Sequence, residues 1–456
     1  RPAASRQSLA TKYRAQQFMN PNAAAVSWVL VYLLAVTAPL LLLLIGPVPP
    51  GAGFGWDFSM ALGFAGLAIM GMQFVLTARL RRASAPFGID IIYLFHRYVA
   101  LIAFGLLVAH VAILRIDYVQ ALGAIDPRRA PWHMTAGRVA LLLFAAVIVS
   151  SLWRKPLRIE YDRWRVWHAV LATLALVAAV AHIAGAGHYT AAPGQRVLWT
   201  AYALLWVLLL VRVRVARPWA MRRRPWRVTE WRAERGNAWT LALAPEGHAG
   251  LSFAPGQFAW LTLRASPFGM KEHPFSFSSS AAGSRVEFTI KALGDFTRTV
   301  QTVQPGEIAW IDGPYGVFTT DRYPRAPGFV FIAGGVGIAP IIGMLRSAAD
   351  RGERRPLVLV YANDRWDDVI FLEELERLRE RLDLHLVHVL AEPPPGWGGH
   401  AGRIDEALLA RELPPARRSF EYFLCGPRPM TDAVQRALRT LGVPLRRVHF
   451  ELFEMV

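Results

Sequence analysis

Two stretches of sequence decide the fold: residues 96–110, HRYVALIAFGLLVAH, and residues 168–182, HAVLATLALVAAVAH. Each is a mostly apolar run that begins and ends with histidine, and the two histidines are fourteen residues apart in both runs. At about 100° per residue, fourteen steps bring a helix back to within about 40° of its starting face and advance it by about 21 Å. Each run is therefore predicted to be a helix with two histidines on one face, one near each end.

Apolar segments long enough to cross a membrane surround these runs. A spanning helix needs about 20 mainly apolar residues. Six segments qualify, at residues 26–45, 58–78, 89–114, 136–153, 165–186 and 197–215. Hydrophobic residues make up 54% of the 456-residue chain and the mean hydropathy is +0.28, which is too apolar for an ordinary soluble enzyme. The first segment is long enough to span and lacks a small-residue cleavage pattern, so we expect a retained helix and not a leader peptide.

Basic residues in the connecting loops predict the orientation of the spans. Loops 79–88 and 154–165 and the exit of the last span carry arginine clusters, whereas loop 46–57 has no basic residue. Because basic loops stay on the cytosolic side, both termini and the soluble half are expected in the cytosol, at the inner membrane. The arginines that flank the apolar segments also contribute to the net charge of +18. No stripe of basic and aromatic residues supports the other class with such a balance, a nucleic-acid binder.

The topology pairs the four histidines into two levels. The third and fifth spans run in the same direction, so His96 and His168 are expected at the inner level and His110 and His182 at the outer level. Two imidazoles and no sulfur ligand at each level suit a six-coordinate b-type haem. The alternative for an isolated histidine is a satisfied polar residue between helices, and zinc is disfavoured because each level has only two ligands and no carboxylate. Two stacked haems are therefore predicted.

Residues near these histidines leave alternatives open. Arg97 either pairs with a haem propionate or extends to the inner surface. The outer-loop residues His133 and His188 either shape the acceptor site or are ordinary solvated side chains. Arg115 and Arg138 could attract an anionic acceptor.

Residues 226–320 are predicted to form a small antiparallel β-barrel. Short β-rich runs, such as FAWLTL and VEFTIKAL, are separated by glycine and proline. The segment His273-Pro-Phe-Ser-Phe-Ser-Ser-Ser280 places aromatic rings among hydroxyls, which can stack on a ring and bind phosphate oxygens. In Lys291-Ala-Leu-Gly-Asp-Phe-Thr297, Gly294 permits a tight turn, and Thr297 is expected to open a helix whose N–H groups favour a pyrophosphate.

Residues 327–456 alternate strand and helix, which predicts a parallel sheet. The strand FVFIA leads into Gly334-Gly-Val-Gly-Ile-Ala-Pro340, where glycines let backbone N–H groups approach a phosphate. Cys425-Gly-Pro427 ends a later strand, at the edge where parallel sheets bind ligands. Taken alone, Cys425 would be interpreted as a small buried residue. As the only cysteine, it excludes an intrachain disulfide and a cysteine-ligated zinc or iron–sulfur site.

These motifs, in this order, resemble those of the ferredoxin–NADP reductase-like flavoprotein module. The six spans with two H-x13-H pairs resemble the ferric reductase transmembrane domain. The combination, over residues 25–456, is similar to the NADPH oxidase and ferric reductase superfamily in a short bacterial form.

The resemblance implies roles for particular residues. Flavin contacts are implied for His273, Pro274, Phe275 and Ser276. Contacts with the flavin phosphates are implied for Lys291, Gly294 and Thr297. Dinucleotide contacts are implied for Gly334, Gly335, Gly337 and Pro340, and nicotinamide-side contacts for Cys425, Gly426 and Pro427. Phe453 is the aromatic expected to stack on the flavin, and Cys425 and Phe453 are the candidate catalytic residues.

Four regions are expected along the chain. They are a cytosolic N-terminal segment at 1–24, a six-span di-haem domain at 25–217, an FAD-binding β-barrel at 224–324 and an NAD(P)-binding α/β domain at 326–456. The cofactors expected are FAD, two b-type haems and NADPH, with NADH as the alternative. Arg365, after the second strand of the α/β domain, favours a 2′-phosphate, and Asp364 beside it disfavours one.

The expected function is electron transfer from NAD(P)H through FAD and two haems to an acceptor outside. Oxygen, giving superoxide, is placed ahead of a ferric chelate or a separate periplasmic redox protein. A transporter with a regulatory flavin domain is disfavoured, because few polar residues accompany the histidines at mid-membrane. Membrane lipid is an expected partner. No regulatory subunit and no calcium activation are expected, because the sequence lacks long insertions and an EF-hand pattern.

Overall fold

The structure is a computed structural model that describes residues 21–45, 51–84 and 86–451. The chain divides into two compact units, Arg1–Ala216 and Arg217–Val456. Most of the predicted N-terminal segment, and the predicted flavin-stacking residue Phe453, lie outside the described residues.

Six helices of the first unit have the length and composition of membrane spans, as the sequence predicts. They are α1 (Pro21–Ile45), α2 (Phe54–Thr77), α3 (Ile89–Asp117), α4 (Trp132–Leu152), α5 (Tyr161–Ala186) and α6 (Pro193–Val211). A single helical turn at Arg81–Ser84 precedes α3, and a π-helical segment, Arg212–Ala216, continues α6. The histidine-bearing helices α3 and α5 each pack along a neighbour, α2 and α4 respectively. The chain is thus a multi-pass membrane protein.

A proline inside α1 is accommodated by polar side chains of α6. Pro39 has no N–H, so the carbonyl of Ala35, four residues earlier, lacks its helical partner. The hydroxyl of Tyr202 donates a hydrogen bond to this carbonyl. Nε2 of Gln195 donates to the carbonyl of Pro39 at 2.8 Å. Because backbone groups in an apolar layer must be satisfied within the protein, these two bonds fix α6 against α1.

The second unit opens with a short helix and an antiparallel sheet. The helix is α7 (Arg217–Arg222), and the six strands are β1 (Trp226–Glu234), β2 (Ala238–Pro245), β3 (Phe258–Leu263), β4 (Glu272–Ser276), β5 (Val286–Lys291) and β6 (Ile308–Tyr315). Their order in the sheet is β4-β3-β6-β1-β2-β5, and helix α8 (Asp295–Thr299) follows β5. An antiparallel bridge between Phe277 and Phe288 links the segment after β4 to β5, so the two edges of the sheet approach each other. The predicted antiparallel flavin domain is confirmed.

The rest of the second unit is a parallel sheet with helices, again as predicted. Its strands are β7 (Phe329–Gly334), β8 (Leu357–Asn363), β9 (Leu384–Leu390), β10 (His400–Ala401), β11 (Glu421–Cys425) and β12 (Val448–Glu451). Its helices are α9 (Ile338–Asp350), α10 (Leu372–Arg379), α11 (Glu406–Glu412) and α12 (Arg428–Thr440). The strand order β10-β9-β8-β7-β11-β12 places β7 between β8 and β11. The carboxyl ends of these three strands, and the motifs that follow them, therefore meet at one edge.

Candidate functional site

The side chains of His96 on α3 and His168 on α5 face each other. Their ring centroids are 6.3 Å apart and the ring planes are inclined at 64°. A metal bonded to one nitrogen of each ring at about 2 Å, a usual metal–imidazole bond length, would hold the centroids about 6 Å apart. Oγ of Ser151 lies 3.2 Å from Nδ1 of His168. The spacing of the rings fits a metal centre between them.

The histidines expected at the outer level, His110 and His182, are oriented by backbone carbonyls of neighbouring helices. Nδ1 of His110 lies 2.8 Å from the carbonyl oxygen of Ser59, and Nδ1 of His182 lies 2.8 Å from that of His133. A histidine that binds a metal through Nε2 almost always donates its Nδ1 hydrogen to such an acceptor. With Nδ1 facing a carbonyl, Nε2 is the nitrogen of each ring that could bind a metal.

Glycines on the neighbouring helices make room for the outer rings. A Cβ added at Gly63 would lie 3.2 Å from the ring of His110, and one at Gly137 would lie 2.8 Å from the ring of His182. Over the residues that the structure describes, no group of three or more His, Cys, Asp or Glu side chains could hold a metal ion. The paired histidines thus fit a group that takes two imidazole ligands, as a b-type haem does, better than zinc with its three or four protein ligands.

His133 and Arg138, both expected on the outer side, contact other residues of the protein. The ring of His133 lies 6.4 Å from that of His182, beside the outer pair. The guanidinium of Arg138 donates to the carbonyls of Leu122 and Ala124 at 2.6 and 2.8 Å. Arg138 therefore holds the loop before α4, and its part in attracting an anionic acceptor stays a prediction.

The predicted flavin-binding residues lie on the edge strand β4. His273 stacks on Phe296 of α8 with ring centroids 3.8 Å apart, and Phe275 lies 6.0 Å from the same ring. Because alternate residues of a strand face opposite sides, His273 and Phe275 share one face and Pro274 and Ser276 share the other. The motif therefore contributes an aromatic face and a face that carries the buried hydroxyl of Ser276.

The predicted phosphate-binding turn follows β5. Helix α8 begins at Asp295, with Gly294 as its N-cap, so the expectation that Thr297 opens the helix is wrong by two residues. Oγ1 of Thr297 accepts hydrogen bonds from the N–H groups of Leu293 and Gly294 at 2.9 and 2.8 Å. A hydroxyl at the third helical position can satisfy donors at the helix start, and here it shapes the turn. Lys291 is the last residue of β5.

The two glycine motifs of the parallel sheet meet backbone to backbone. Gly335 has a φ of +53°, in the left-handed region. A Cβ on Gly337 would collide with the carbonyl oxygen of Cys425, and one on Gly426 would lie 3.0 Å from the backbone nitrogen of Gly334. Glycine is therefore required at this contact by close approach of the chain.

Prolines mark the helices that follow these two motifs. Pro340 is buried in the first turn of α9, and Pro427 is the N-cap residue of α12. Proline is tolerated at such positions because the first N–H groups of a helix have no intrahelical acceptor.

Glu451 contacts both the predicted flavin-binding segment, residues 273–280, and the predicted nicotinamide-side motif, residues 425–427. Oγ of Ser276 donates to Oε2 of Glu451 at 3.4 Å, and Glu451 pairs with Cys425 in the parallel register of β12 and β11. Burial, together with the nearby Glu451, raises the pKa of the Cys425 thiol well above its ordinary value. The sequence analysis did not single out Glu451. Its place two residues before Phe453 is the signal that could have identified it.

The residues expected to select the nucleotide are paired with each other. Nε of Arg365 lies 2.9 Å from Oε2 of Glu392 in a largely exposed ion pair. The N–H of Glu392 donates to the carbonyl of Asp364 at 2.8 Å. A carboxylate therefore accompanies the guanidinium that was expected to bind a 2′-phosphate, and the choice between NADPH and NADH stays a prediction.

Three protein families match consecutive parts of the chain. Residues 62–179 match the ferric reductase like transmembrane component, residues 240–319 match an FAD-binding domain, and residues 331–436 match an oxidoreductase NAD-binding domain. The chain therefore has the domain architecture of the NADPH oxidase and ferric reductase superfamily.

Two curated relatives each match less than half of the chain. The propane 2-monooxygenase reductase component of Rhodococcus jostii is 34% identical over 226 residues, which are 47% of this chain and 59% of that protein. NADH-cytochrome b5 reductase 1 of Debaryomyces hansenii is 36% identical over 165 residues, 34% of this chain and 56% of that protein. The chain thus spans little more than half the length of these relatives.

A solved structure is similar over both halves of the chain. The flavohemoglobin of Malassezia yamatoensis, with bound FAD and heme, covers 87% of this chain and 97% of its own, with a TM-score of 0.50 and 16% identity. At this identity the likeness concerns the fold alone.

Proposed function

We propose that this chain is a transmembrane oxidoreductase that passes electrons from cytosolic NAD(P)H, through FAD and two b-type haems, to an acceptor outside the membrane. The observation that carries the proposal is the 6.3 Å spacing of the rings of His96 and His168, in a chain that also carries FAD- and NAD-binding domains. Oxygen, reduced to superoxide, is the acceptor that we propose.

A ferric chelate is the second candidate acceptor. The match of residues 62–179 to the ferric reductase like transmembrane component favours it. A separate periplasmic redox protein is the remaining possibility, because the FAD- and NAD-binding domains account for the entry of electrons and say nothing about their exit.

The four histidines would hold the haems, His96 and His168 at the inner level and His110 and His182 at the outer level. Haem, when bound, supplies a one-electron carrier within the hydrocarbon layer. The carbonyls of Ser59 and His133 orient the outer imidazoles and make their Nε2 atoms more basic. Gly63 and Gly137 keep the space that these rings need.

The motifs of the second unit would hold FAD and the nucleotide. FAD, when bound, supplies the step from a two-electron donor to one-electron carriers. The proposed flavin ligands are His273, Pro274, Phe275, Ser276, Lys291, Gly294 and Thr297. The proposed nucleotide ligands are Gly334, Gly335, Gly337, Pro340, Cys425, Gly426 and Pro427. Phe453 remains the proposed stacking residue.

Cys425 and Glu451 shape the place where nicotinamide and flavin would meet. Because burial raises the pKa of the Cys425 thiol, the sulfur stays protonated and unreactive at neutral pH. The hydroxyl of Ser276 donates a hydrogen bond to Oε2 of Glu451, which orients the serine side chain. We propose that the two residues position the reacting rings without forming a covalent bond to either.

The proposed function implies three domains in the chain and a cytosolic position for both termini. We propose a di-haem domain at 25–217, an FAD domain at 224–324 and an NAD(P) domain at 326–456. Both termini lie in the cytosol at the inner membrane, because the arginine-rich loops are those predicted to stay inside. We propose NADPH as the donor, with its 2′-phosphate replacing Glu392 as the partner of Arg365. NADH is the alternative.

Spectroscopy of the purified full-length protein tests the proposal. NADPH added under nitrogen should give a reduced b-type spectrum with two haems per chain. Oxygen is then admitted with and without superoxide dismutase, and in a parallel sample a ferric chelate is added under nitrogen. Reoxidation by oxygen with superoxide formation supports the first acceptor, and reoxidation by the chelate alone supports the second. Well-expressed protein without haem absorbance would disprove the haem proposal.

A further inference from the structure

Helix α9 connects the dinucleotide loop to the flavin motif. It begins directly after the turn at 335–337 and packs on the segment after β4. A Cβ on Gly343 would lie 2.6 Å from the carbonyl oxygen of Phe277 and 3.2 Å from that of Ser279. Oγ of Ser347 accepts from the N–H of Ala281 at 3.0 Å. The helix therefore touches the flavin segment along its length, with backbone against backbone at Gly343.

Arg346 in the middle of α9 joins three elements at once. Nη1 donates to the carbonyl of Ser278 at 2.7 Å and to Oε2 of Glu287, on β5, at 2.9 Å. Nε and Nη2 donate to the two carboxylate oxygens of Glu374, on α10, at 2.6 and 2.7 Å. The guanidinium also lies 5.0 Å from the ring of Phe371. Paired, charge-assisted bonds of this kind are strong and specific in direction, so Arg346 fixes both distance and angle between its partners.

The two carboxylates connect Arg346 to different parts of the unit. Glu287 belongs to the antiparallel sheet, so its bond crosses from the flavin side to the nucleotide side. Glu374 belongs to a helix of the same parallel-sheet layer as α9, so its bond stays on the nucleotide side. The side chain of Arg346 is only 14% exposed, and those of Glu287 and Glu374 are 17% and 26% exposed.

A cavity of about 500 Å³ opens beside this contact. Its lining includes Arg346, Glu287 and Glu374, together with Phe371, whose φ of +62° is strained for a residue with a side chain. Ions can enter a polar cavity of this size, so salt should weaken the bonds of Arg346 more than those of a sealed core.

We propose that Arg346 is a positioning residue for hydride transfer. By joining α9 to Ser278 and Glu287, it sets the distance between a nucleotide held at 334–337 and a flavin held at 273–276. The inference rests on the proposed function, because the reaction that it positions is the reduction of FAD by NAD(P)H. A misplacement of about 1 Å between reacting groups can cost about 100-fold in rate.

Two single substitutions test whether Arg346 positions the nucleotide against the flavin or only stabilises the fold. Glu287→Gln weakens the bond that crosses between the sheets, and Glu374→Gln is the control that weakens the two bonds within one layer. Steady-state rates are measured on the full-length protein with ferricyanide, which takes electrons from the flavin, and with nicotinamide deuterated at the transferred position.

We expect Glu287→Gln to lower kcat by about 10-fold, to raise the deuterium isotope effect and to leave the KM for NADPH within about 2-fold. Glu374→Gln should lower kcat by less than about 3-fold. Arg346→Gln should behave as Glu287→Gln does, and Arg346→Lys should recover part of the rate. The difference between the two glutamate variants should shrink at high salt. If Arg346→Gln does not fold, the glutamate pair still decides the question.

Other results would overturn the inference. Equal losses in the two glutamate variants, in proportion to their loss of thermal stability, would mean that Arg346 only supports the fold. An unchanged isotope effect in Glu287→Gln would have the same meaning. Wild-type protein that binds FAD but is reduced by neither NADPH nor NADH would overturn the proposed function, and this inference with it.

Discussion

The four histidines of the spanning helices differ in how firmly neighbouring residues hold their rings. Nδ1 of His110 and of His182 lies 2.8 Å from a backbone carbonyl. Nδ1 of His168 has a hydroxyl partner at 3.2 Å, and Nδ1 of His96 has no hydrogen-bond partner among the residues described. A carbonyl acceptor fixes the tautomer and the ring orientation. The outer pair is therefore more strongly pre-oriented than the inner pair.

Replacing His110 with alanine should remove one haem and leave the other. The inner pair lies about 21 Å away along the helices, so His96 and His168 keep their own group. Haem content by the pyridine haemochrome method should fall from two per chain to one. His133→Ala is the control and should retain both, because the carbonyl that faces Nδ1 of His182 belongs to the backbone of residue 133 and is kept in the variant. Loss of both haems from the His110 variant would contradict the assignment by levels.

His388 should make the second unit less stable in mild acid. It packs beside Tyr361 and Trp366, and burial lowers its pKa from the ordinary value of 6.5. The folded protein therefore holds the neutral ring, and the unfolded chain binds more protons once the pH falls below 6.5. The stability that this residue contributes is present above that pH and is lost as the pH falls toward the lower folded pKa.

His388→Leu tests this expectation. The free energy of unfolding, followed by flavin release in urea at a series of pH values, should fall less steeply between about pH 7 and pH 5 than in the wild type. The same slope in both proteins would show that His388 does not titrate differently in the folded state.

Helices and strands were predictable to different degrees. The run FAWLTL coincides with β3, and FVFIA falls within β7, because apolar periodicity and flanking glycine or proline are local signals. The start of α8 was displaced from Thr297 to Asp295 because a side-chain cap, and not periodicity, sets that end. The pairing of α1 with α6 was not predictable, since it depends on which carbonyl Pro39 leaves without a partner.

Tyr202→Phe should weaken the contact between α1 and α6 by about 1 kcal/mol, a usual value for a hydrogen bond between helices in a membrane. The carbonyl of Ala35 would lose the hydroxyl that replaces its helical donor. In a Pro39→Ala background the new N–H takes that carbonyl, so the same substitution should cost less. A double-mutant cycle on unfolding in detergent micelles measures the difference. Equal costs in the two backgrounds would contradict this account.

The two compact units of the chain differ in their chemistry. Long apolar helices fill the first unit, and the second has buried cores on both faces of its parallel sheet and inside its antiparallel sheet. The division falls at Ala216 and Arg217, close to the end of the last apolar run. The first unit therefore carries its apolar surface on long helices, and the second buries its own within its sheets and helices.

Residues 217–456 alone should fold as a soluble flavoprotein. Their cores lie wholly within the second unit. We expect this fragment to bind FAD, to reduce ferricyanide with NAD(P)H and to contain no haem. Size-exclusion chromatography and flavin content are the measurements, and the full-length protein is the control. An aggregated fragment without flavin would show that the second unit needs the first in order to fold.

The sequence by itself determined the six spans, the order of the two sheets and the histidine and glycine motifs. Each of these is carried by neighbours in the chain, through a repeat of 3.6 or 2 residues or through a turn that only glycine can make. The tertiary structure alone decided that the rings of His96 and His168 lie 6.3 Å apart, that Glu451 contacts Ser276 and that Arg346 contacts Glu287. Such contacts join residues that are distant in sequence, so they depend on how helices and sheets pack and leave no local pattern.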